Sequence, residues 1–329
     1  MTISEPQQTK GLHHLVAGGG GFVGSHLVDL FLARGDTATI VDNFVTGRRR
    51  NIAHLANDRR CTVIEHDITT PFPASITEGR YDTVLDLASP ASPDDFKTMP
   101  LEILAVGSTG TRNLLDLARE QNARFFLAST SEVYGDPLVH PQPETYWGNV
   151  SSIGPRSCYD EAKRFSEAIT MAYHRTHGVD VRIVRIFNTY GERMRPRDGR
   201  VVNTFVLQAL RNEPLTLHGD GMQTRSFCHV ADEIRGLAAV LDGHITGPIN
   251  VGNPGEFTIR ELAELVVEII GSTSEIITMP MPDEREGDPM QRCPDITLVR
   301  DAYGWEPSIS LREGLTRMIE WFRTKEDLT

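Results

Sequence analysis

Tyr159-Asp160-Glu161-Ala162-Lys163 sets a phenol and an ammonium four residues apart. On a helix an i,i+4 pair shares one face, so the ammonium is expected to stand near the phenol. A neighbouring positive charge favours phenolate and lowers a tyrosine pKa, which would make Tyr159 a usable base near neutral pH. A surface pair shows the same spacing, so the meaning depends on what else the chain supplies. A second segment, Ser129-Thr130-Ser131-Glu132-Val133-Tyr134-Gly135, follows an apolar run and gathers hydroxyls and a carboxylate at a strand end. Open α/β sheets bind ligands at such ends. With a dinucleotide loop upstream, the two segments together read as chemistry rather than a surface pair.

A third segment supplies the partner for that chemistry. In Val16-Ala17-Gly18-Gly19-Gly20-Gly21-Phe22-Val23-Gly24, between the first strand and the first helical stretch, the glycines Gly18, Gly21 and Gly24 fit GxxGxxG. Glycines let a backbone turn tightly against a pyrophosphate, whose charge sits on the helix N-terminus. About twenty residues on, Asp42 ends the next strand, where a carboxylate accepts from ribose hydroxyls and repels a 2′-phosphate. NAD is therefore expected over NADP, with Arg48, Arg49 and Arg50 as the counter-argument.

These residues need a scaffold. Short β-rich runs, at Leu15–Ala17, Thr39–Val41, Val63–Glu65, Val84–Leu87, Phe125–Ala128, Val181–Ile186 and Ile249–Val251, alternate with amphipathic stretches at Ser25–Arg34, Gly110–Gln121 and Tyr159–His177. That alternation predicts an α/β fold, a Rossmann-like doubly wound parallel sheet with helices on both faces. After Asn188 the pattern changes. Arg-, Gly- and Pro-rich Glu192–Arg200 and Pro280–Pro294 read as loops, and Ile259–Ile270 and Leu311–Arg323 as helices. The expected division is 12–188 as a dinucleotide-binding domain, with 226–253 returning to it, and 189–329 as mainly a smaller α/β substrate domain.

Composition narrows the partners. A net charge of -12 argues against nucleic acid, although local arginines can still hold a small anion in a cleft. Cys61, Cys158, Cys228 and Cys293 form no CxxC pair, so neither a disulfide framework nor a zinc site is expected, and a cytoplasmic setting follows. The polar Met1–Gly11 has no signal core, and no run approaches the ~20 apolar residues of a membrane span. His13 and His14 lack partners at metal spacing and read as the entry to a strand.

The order GGxGFVGSH, STSEVYG, YxxxK resembles the extended short-chain dehydrogenases that act on nucleotide sugars. Longer strings are similar to the UDP-glucuronate decarboxylases within that group: Asp42-Asn43-Phe44 before Thr46-Gly47-Arg48, Leu87-Ala88-Ser89-Pro90-Ala91-Ser92-Pro93, His140-Pro141-Gln142-Pro143-Glu144-Thr145-Tyr146-Trp147-Gly148, Ile153-Gly154-Pro155-Arg156, Asp198-Gly199-Arg200-Val201-Val202, Gln223-Thr224-Arg225-Ser226-Phe227 and Arg292-Cys293-Pro294-Asp295. The resemblance runs from about Leu15 to Phe322. It implies that Tyr159 and Lys163 handle the sugar C4 hydroxyl, that Thr130 and Ser131 orient it, and that Glu132 and Arg292 serve the carboxylate and proton exchange at C5. For that exchange the surroundings of Glu132 are expected to raise its pKa. NAD would contact Gly18, Gly21, Phe22, Val23, Gly24, Asp42, Asn43, Thr46, Gly47, Asp67, Ile68, Leu87, Ala88, Ser89, Tyr159, Lys163, Thr189 and Arg200. UDP-glucuronate would contact Pro90, Asn188, Arg200, Val201, Arg225 and Arg292, with Arg225 on the diphosphate beside a close-approaching Gly219-Asp220-Gly221 turn. A homodimer joined through Gly110–Gln121 and Tyr159–His177 is implied as well.

The chain departs from the family pattern in places. Ala105-Val106-Gly107 stands for Lys-Thr-Asn, where the Lys helps hold substrate; Phe96 stands for Tyr, Glu192 for Pro and Thr204 for Asn. Rival readings are a nucleotide-sugar 4,6-dehydratase, a 4-epimerase and a non-catalytic NAD-binding regulator. A dehydratase usually carries an acid where Ser131 stands, an epimerase usually lacks this glutamate, and a regulator would need neither Tyr159 nor Lys163.

Overall fold

The computed structural model describes residues 11–280 and 291–325. Six strands follow one another as β1 (His13–Ala17), β2 (Thr37–Asp42), β3 (Cys61–Glu65), β4 (Thr83–Asp86), β5 (Arg124–Thr130) and β6 (Val181–Ile186). A seventh, Pro248–Val251, completes one sheet in the order seventh–β6–β5–β4–β1–β2–β3, every pairing parallel. The expected doubly wound fold is what forms. Most strands begin one or two residues before the apolar run that predicts them, and both His13 and His14 lie in β1.

Alternation along the strands explains why the sheet is covered on both sides. Val16, Ile40, Leu85, Phe126 and Val184 share one core with Leu27, Phe31, Leu237 and Trp305. Their chain neighbours Leu15, Val41, Val84, Phe125 and Ile183 share the other with Leu114, Leu115 and Ala118. A separate apolar core gathers Phe205, Val206, Leu215, Leu262, Val266, Leu315 and Phe322. It rests on the helices Val201–Leu210, Ile259–Ile270 and Leu311–Lys325. The second of these has a full capping box between Thr258 and Glu261 and stops at Gly271 in the left-handed conformation.

The helix Ser157–His177 departs from the usual apolar face. Its buried stripe runs through Tyr159, Lys163, Ser166 and Thr170, at spacings of four, three and four. The Ser166 hydroxyl donates to the Gly107 carbonyl at 2.7 Å, which ties this helix to the π-helical turn Val106–Gly110. A Cβ at Gly107 would stand 2.7 Å from the Ala162 Cβ, so the turn sits as close as a missing side chain permits.

The loop over Glu192–Arg200 is present, whereas most of the Pro280–Pro294 expectation lies outside the described residues. Its described end differs: Gln291–Arg292 is a short strand, paired in parallel with Thr224–Ser226. The Met1–Gly11 segment, Gly11 excepted, also lies outside them. Among the described residues no helix is long and apolar enough to cross a membrane.

Candidate active site

A cleft of about 910 Å³ opens at the C-terminal ends of β1, β2, β4 and β5, where the strand order reverses. All the site residues expected from the sequence line it, from Gly18 and Asp42 at one end to Arg225 and Arg292 at the other. The Gly219-Asp220-Gly221 turn is an exception to the expectation of close ligand approach, for none of its residues lines the cleft. Its backbone instead receives the neighbouring helix start, with Arg260 N donating to the Gly221 carbonyl at 3.0 Å.

The glycine loop forms a tight cradle. Gly18 has φ +79°, and a Cβ there would meet the Leu87 backbone at 2.7 Å; a Cβ at Gly24 would meet the Gly18 carbonyl oxygen at 2.3 Å. Asp42 closes it from β2, one carboxylate oxygen accepting from Gly20 N and the other from Phe44 N, both at 2.8 Å. Burial pushes the Asp42 carboxyl up, against the pull of those two amides. Among the described lining residues Arg48, Arg49 and Arg50 are absent. Arg49 pairs with Glu65 and lies over the Phe44 ring at 4.2 Å. Arg49 is thus engaged outside the cleft rather than offered to a 2′-phosphate.

Across the cleft, the Tyr159 phenol stacks on Phe96, ring centroids 4.9 Å apart. Here the structure corrects the expected electrostatics. Burial pushes the phenol up to about 12, with the Thr130 side chain and Arg200 only partly opposing it. Lys163 donates instead to the Ala128 carbonyl at 2.9 Å, and burial lowers its own pKa against the pull of Asp86. The i,i+4 face is shared as expected, but the ammonium is spent on the end of β5.

Glu132 brings the second correction. Arg292 Nη1 lies 2.8 Å from one carboxylate oxygen and Arg156 Nη2 2.6 Å from the other. Burial alone would raise this carboxyl, but the two guanidiniums outweigh it and hold it well below the usual range. Glu132 is a carboxylate here, not the neutral acid expected. Arg292 is only 1% exposed, and it also donates to the Ser131 hydroxyl at 3.2 Å and the Gly135 carbonyl at 2.7 Å. Arg200 pairs with Asp198 at 3.0 Å and reaches the Ala91 carbonyl at 2.8 Å.

Three contributors had no assigned role in the sequence. Arg156 sat within a family-like string; only the fold brings it to Glu132. Asp86 ends β4, accepts from the Thr111 hydroxyl at 2.8 Å and balances Lys163. Asp160, beside Tyr159, is buried, and its Oδ1 has no hydrogen-bond partner among the described residues. Burial and the nearby Glu132 charge raise its carboxyl. Of the departures from the family pattern, Phe96, Ala105, Val106 and Thr204 all line the cleft.

A dinucleotide cradle and a Tyr-Lys pair on one doubly wound sheet define an extended short-chain dehydrogenase. The chain belongs to the family described as GDP-mannose 4,6 dehydratase, matched over residues 15–318, and within it groups with the UDP-glucuronic acid decarboxylases. UDP-glucuronic acid decarboxylase 2 of Arabidopsis thaliana is 53% identical over 316 residues, 96% of this chain and 69% of that protein. Decarboxylase 5 of the same plant is 50% identical over 312 residues, 94% and 89% of the two chains. Among solved structures, a UDP-glucuronic acid 4-epimerase from Bacillus cereus in complex with UDP-glucuronic acid and NAD has a TM-score of 0.85 at 27% identity, covering 95% of this chain and 99% of that one. A dTDP-glucose 4,6-dehydratase from Streptomyces venezuelae with NAD bound has a TM-score of 0.85 at 30% identity, covering 95% and 98%. The cofactor is NAD, and the side-chain-free approach at Gly18 and Gly24 with the Asp42 carboxylate beside it fits that group.

Proposed function

We propose that this chain converts UDP-glucuronate to UDP-xylose and carbon dioxide, with no net oxidation. The observation that carries the reading is the Glu132 carboxylate held between Arg156 and Arg292 in the cleft that Tyr159 also lines. NAD supplies the chemistry of taking the C4 hydride and later returning it. Tyr159 takes the C4 hydroxyl proton as phenolate, a state that the positive charge of bound NAD would favour over the protonated phenol of the empty site, with Thr130 and Ser131 orienting that oxygen. The resulting ketone is β to the C5 carboxylate, so carbon dioxide leaves and charge develops on the C4 oxygen. The phenol and the two hydroxyls donate to it there.

Arg292 and Arg156 hold the substrate carboxylate in this reading. A second carboxylate brought to the same guanidiniums raises the proton affinity of both. Glu132 then becomes a proton carrier for C5 in the occupied site, while staying ionised in the empty one. Arg225 serves the diphosphate. Residues 12–188 with 226–253 form the cofactor-binding unit and 189–329 mainly the substrate unit.

In this reading the protein is cytoplasmic, the setting in which the four thiols Cys61, Cys158, Cys228 and Cys293 stay reduced. An exposed Phe165 on the helix Ser157–His177 supports a homodimer through that helix and Thr111–Gln121. The test is incubation with UDP-glucuronate, following carbon dioxide and the sugar product. UDP-xylose with stoichiometric carbon dioxide is expected; UDP-galacturonate without gas would overturn the reading.

A further inference from the structure

Outside the cleft, three chemically different ligand atoms converge. The His140 ring, the Glu256 carboxylate and the Cys293 thiol each place one nitrogen, oxygen or sulfur within 4.8 Å of the other two. They come from three distant segments, so no spacing in the sequence announces them. Glu256 opens the strand Glu256–Thr258, antiparallel to Thr224–Ser226, whose other neighbour is Gln291–Arg292. His140 Nε2 stands 2.8 Å from Glu256 Oε2, and the Cys293 thiol donates to the Pro254 carbonyl at 3.4 Å. Cys293 is buried, whereas the His140 and Glu256 side chains keep 34% and 27% of their exposure, so solvent reaches the group from one side.

We propose that His140, Glu256 and Cys293 form a binding site for one divalent zinc-type ion, separate from the sugar cleft. Mixed nitrogen, oxygen and sulfur donors select zinc or cobalt over magnesium or calcium, which take oxygen alone. Tetrahedral zinc bonds of ~2.0–2.3 Å put neighbouring ligand atoms roughly 3.3–3.8 Å apart. The 2.8 Å His140–Glu256 contact must therefore open slightly and the widest separation close on binding. Water takes the fourth position.

The supporting groups are in place. The second Glu256 oxygen accepts from the Thr224 hydroxyl at 2.8 Å. Gln142 grips the Cys293 backbone twice at 2.9 Å, its side chain accepting from Cys293 N and its own N donating to the Cys293 carbonyl. Such outer contacts fix ligand orientation in metal sites. On binding, the Cys293 proton passes to solvent as the metal–sulfur bond forms, and nothing is oxidised or reduced. The ion would fasten three segments together, one of them the strand of Arg292.

The test uses the whole chain, stripped with a chelator and titrated with cobalt(II). One equivalent is expected to bind, with a thiolate-to-cobalt charge-transfer band in the near ultraviolet that zinc then displaces. Cys293→Ser removes the band, and His140→Ala and Glu256→Gln each weaken zinc by about tenfold or more. Circular dichroism of the metal-free variants checks that they fold. A folded wild-type chain without the band, or a band that survives Cys293→Ser, overturns the site and leaves an ordinary His–Glu ion pair beside an inert thiol.

Discussion

Arg225 and Arg292 are register partners on two short parallel strands, and both line the cleft. Partners in adjacent strands project to the same face, so a backbone ladder fixes the spacing of two guanidiniums far apart in sequence. Under the proposed roles the two serve the diphosphate and the carboxylate of one substrate. Arg292→Ala is expected to slow carbon dioxide release in single-turnover measurements. It also leaves Glu132 with Arg156 but one cation fewer, which lowers the denaturation midpoint. Unchanged gas release with an unchanged denaturation midpoint would remove Arg292 from both roles.

Glu132→Gln tests the clamp through pH. Because the folded carboxyl lies below its ordinary 4.5, its contribution to stability is complete above that value and is lost as pH falls through the folded value. The wild type should therefore melt higher than the variant near neutral pH, the gap closing only below about pH 4.5. A gap that stays constant into strong acid would show that Glu132 is not held ionised.

Tyr159→Phe keeps the stacking on Phe96 and removes the phenolic oxygen. Turnover should fall by about 10²–10⁴, with NAD binding and melting temperature nearly unchanged. Activity within a fewfold of wild type would mean another group accepts the C4 proton.

Asp42→Arg addresses cofactor choice. Replacing the carboxylate that receives Gly20 N and Phe44 N with a cation should reverse or abolish the preference for NAD, read as separate dissociation constants for NAD and NADP. Equal affinities in the unmodified protein would contradict the assignment.

Gly107→Ala forces a methyl toward Ala162. Overpacking of this kind costs roughly 1–3 kcal/mol, so the melting temperature should drop, and turnover with it if the helix carrying Tyr159 moves outward. A neutral substitution would show that the π-helical turn yields.

The inner strands were legible because both faces of the sheet are buried there, which writes near-continuous apolar runs at Val84–Leu85 and Phe125–Ala128. The glycine cradle and the Tyr159–Lys163 pair were legible because their spacing is local. Charge states were not. Glu132 owes its ionisation to Arg292, which is brought back by the Thr224–Ser226 ladder, and to Arg156 at the start of another helix. The Lys163 partner, the Ala128 carbonyl, belongs to a backbone that carries no side-chain signature. Arg292 itself reads as an exposed loop charge until the fold buries it.

The three-body arrangement of Arg156, Glu132 and Arg292 also bears on how an anion reaches this protein at all. The chain carries a formal charge of -12, so a distant polyanion meets a repulsive field. Within the clamp two cations face one anion, and the sign reverses over the last few ångströms. Added electrolyte screens the long-range field over a Debye length of about 8–10 Å, while the buried clamp is screened far less. Moderate salt would then speed encounter before it weakens grip, the reverse of the usual order for an enzyme with a cationic surface.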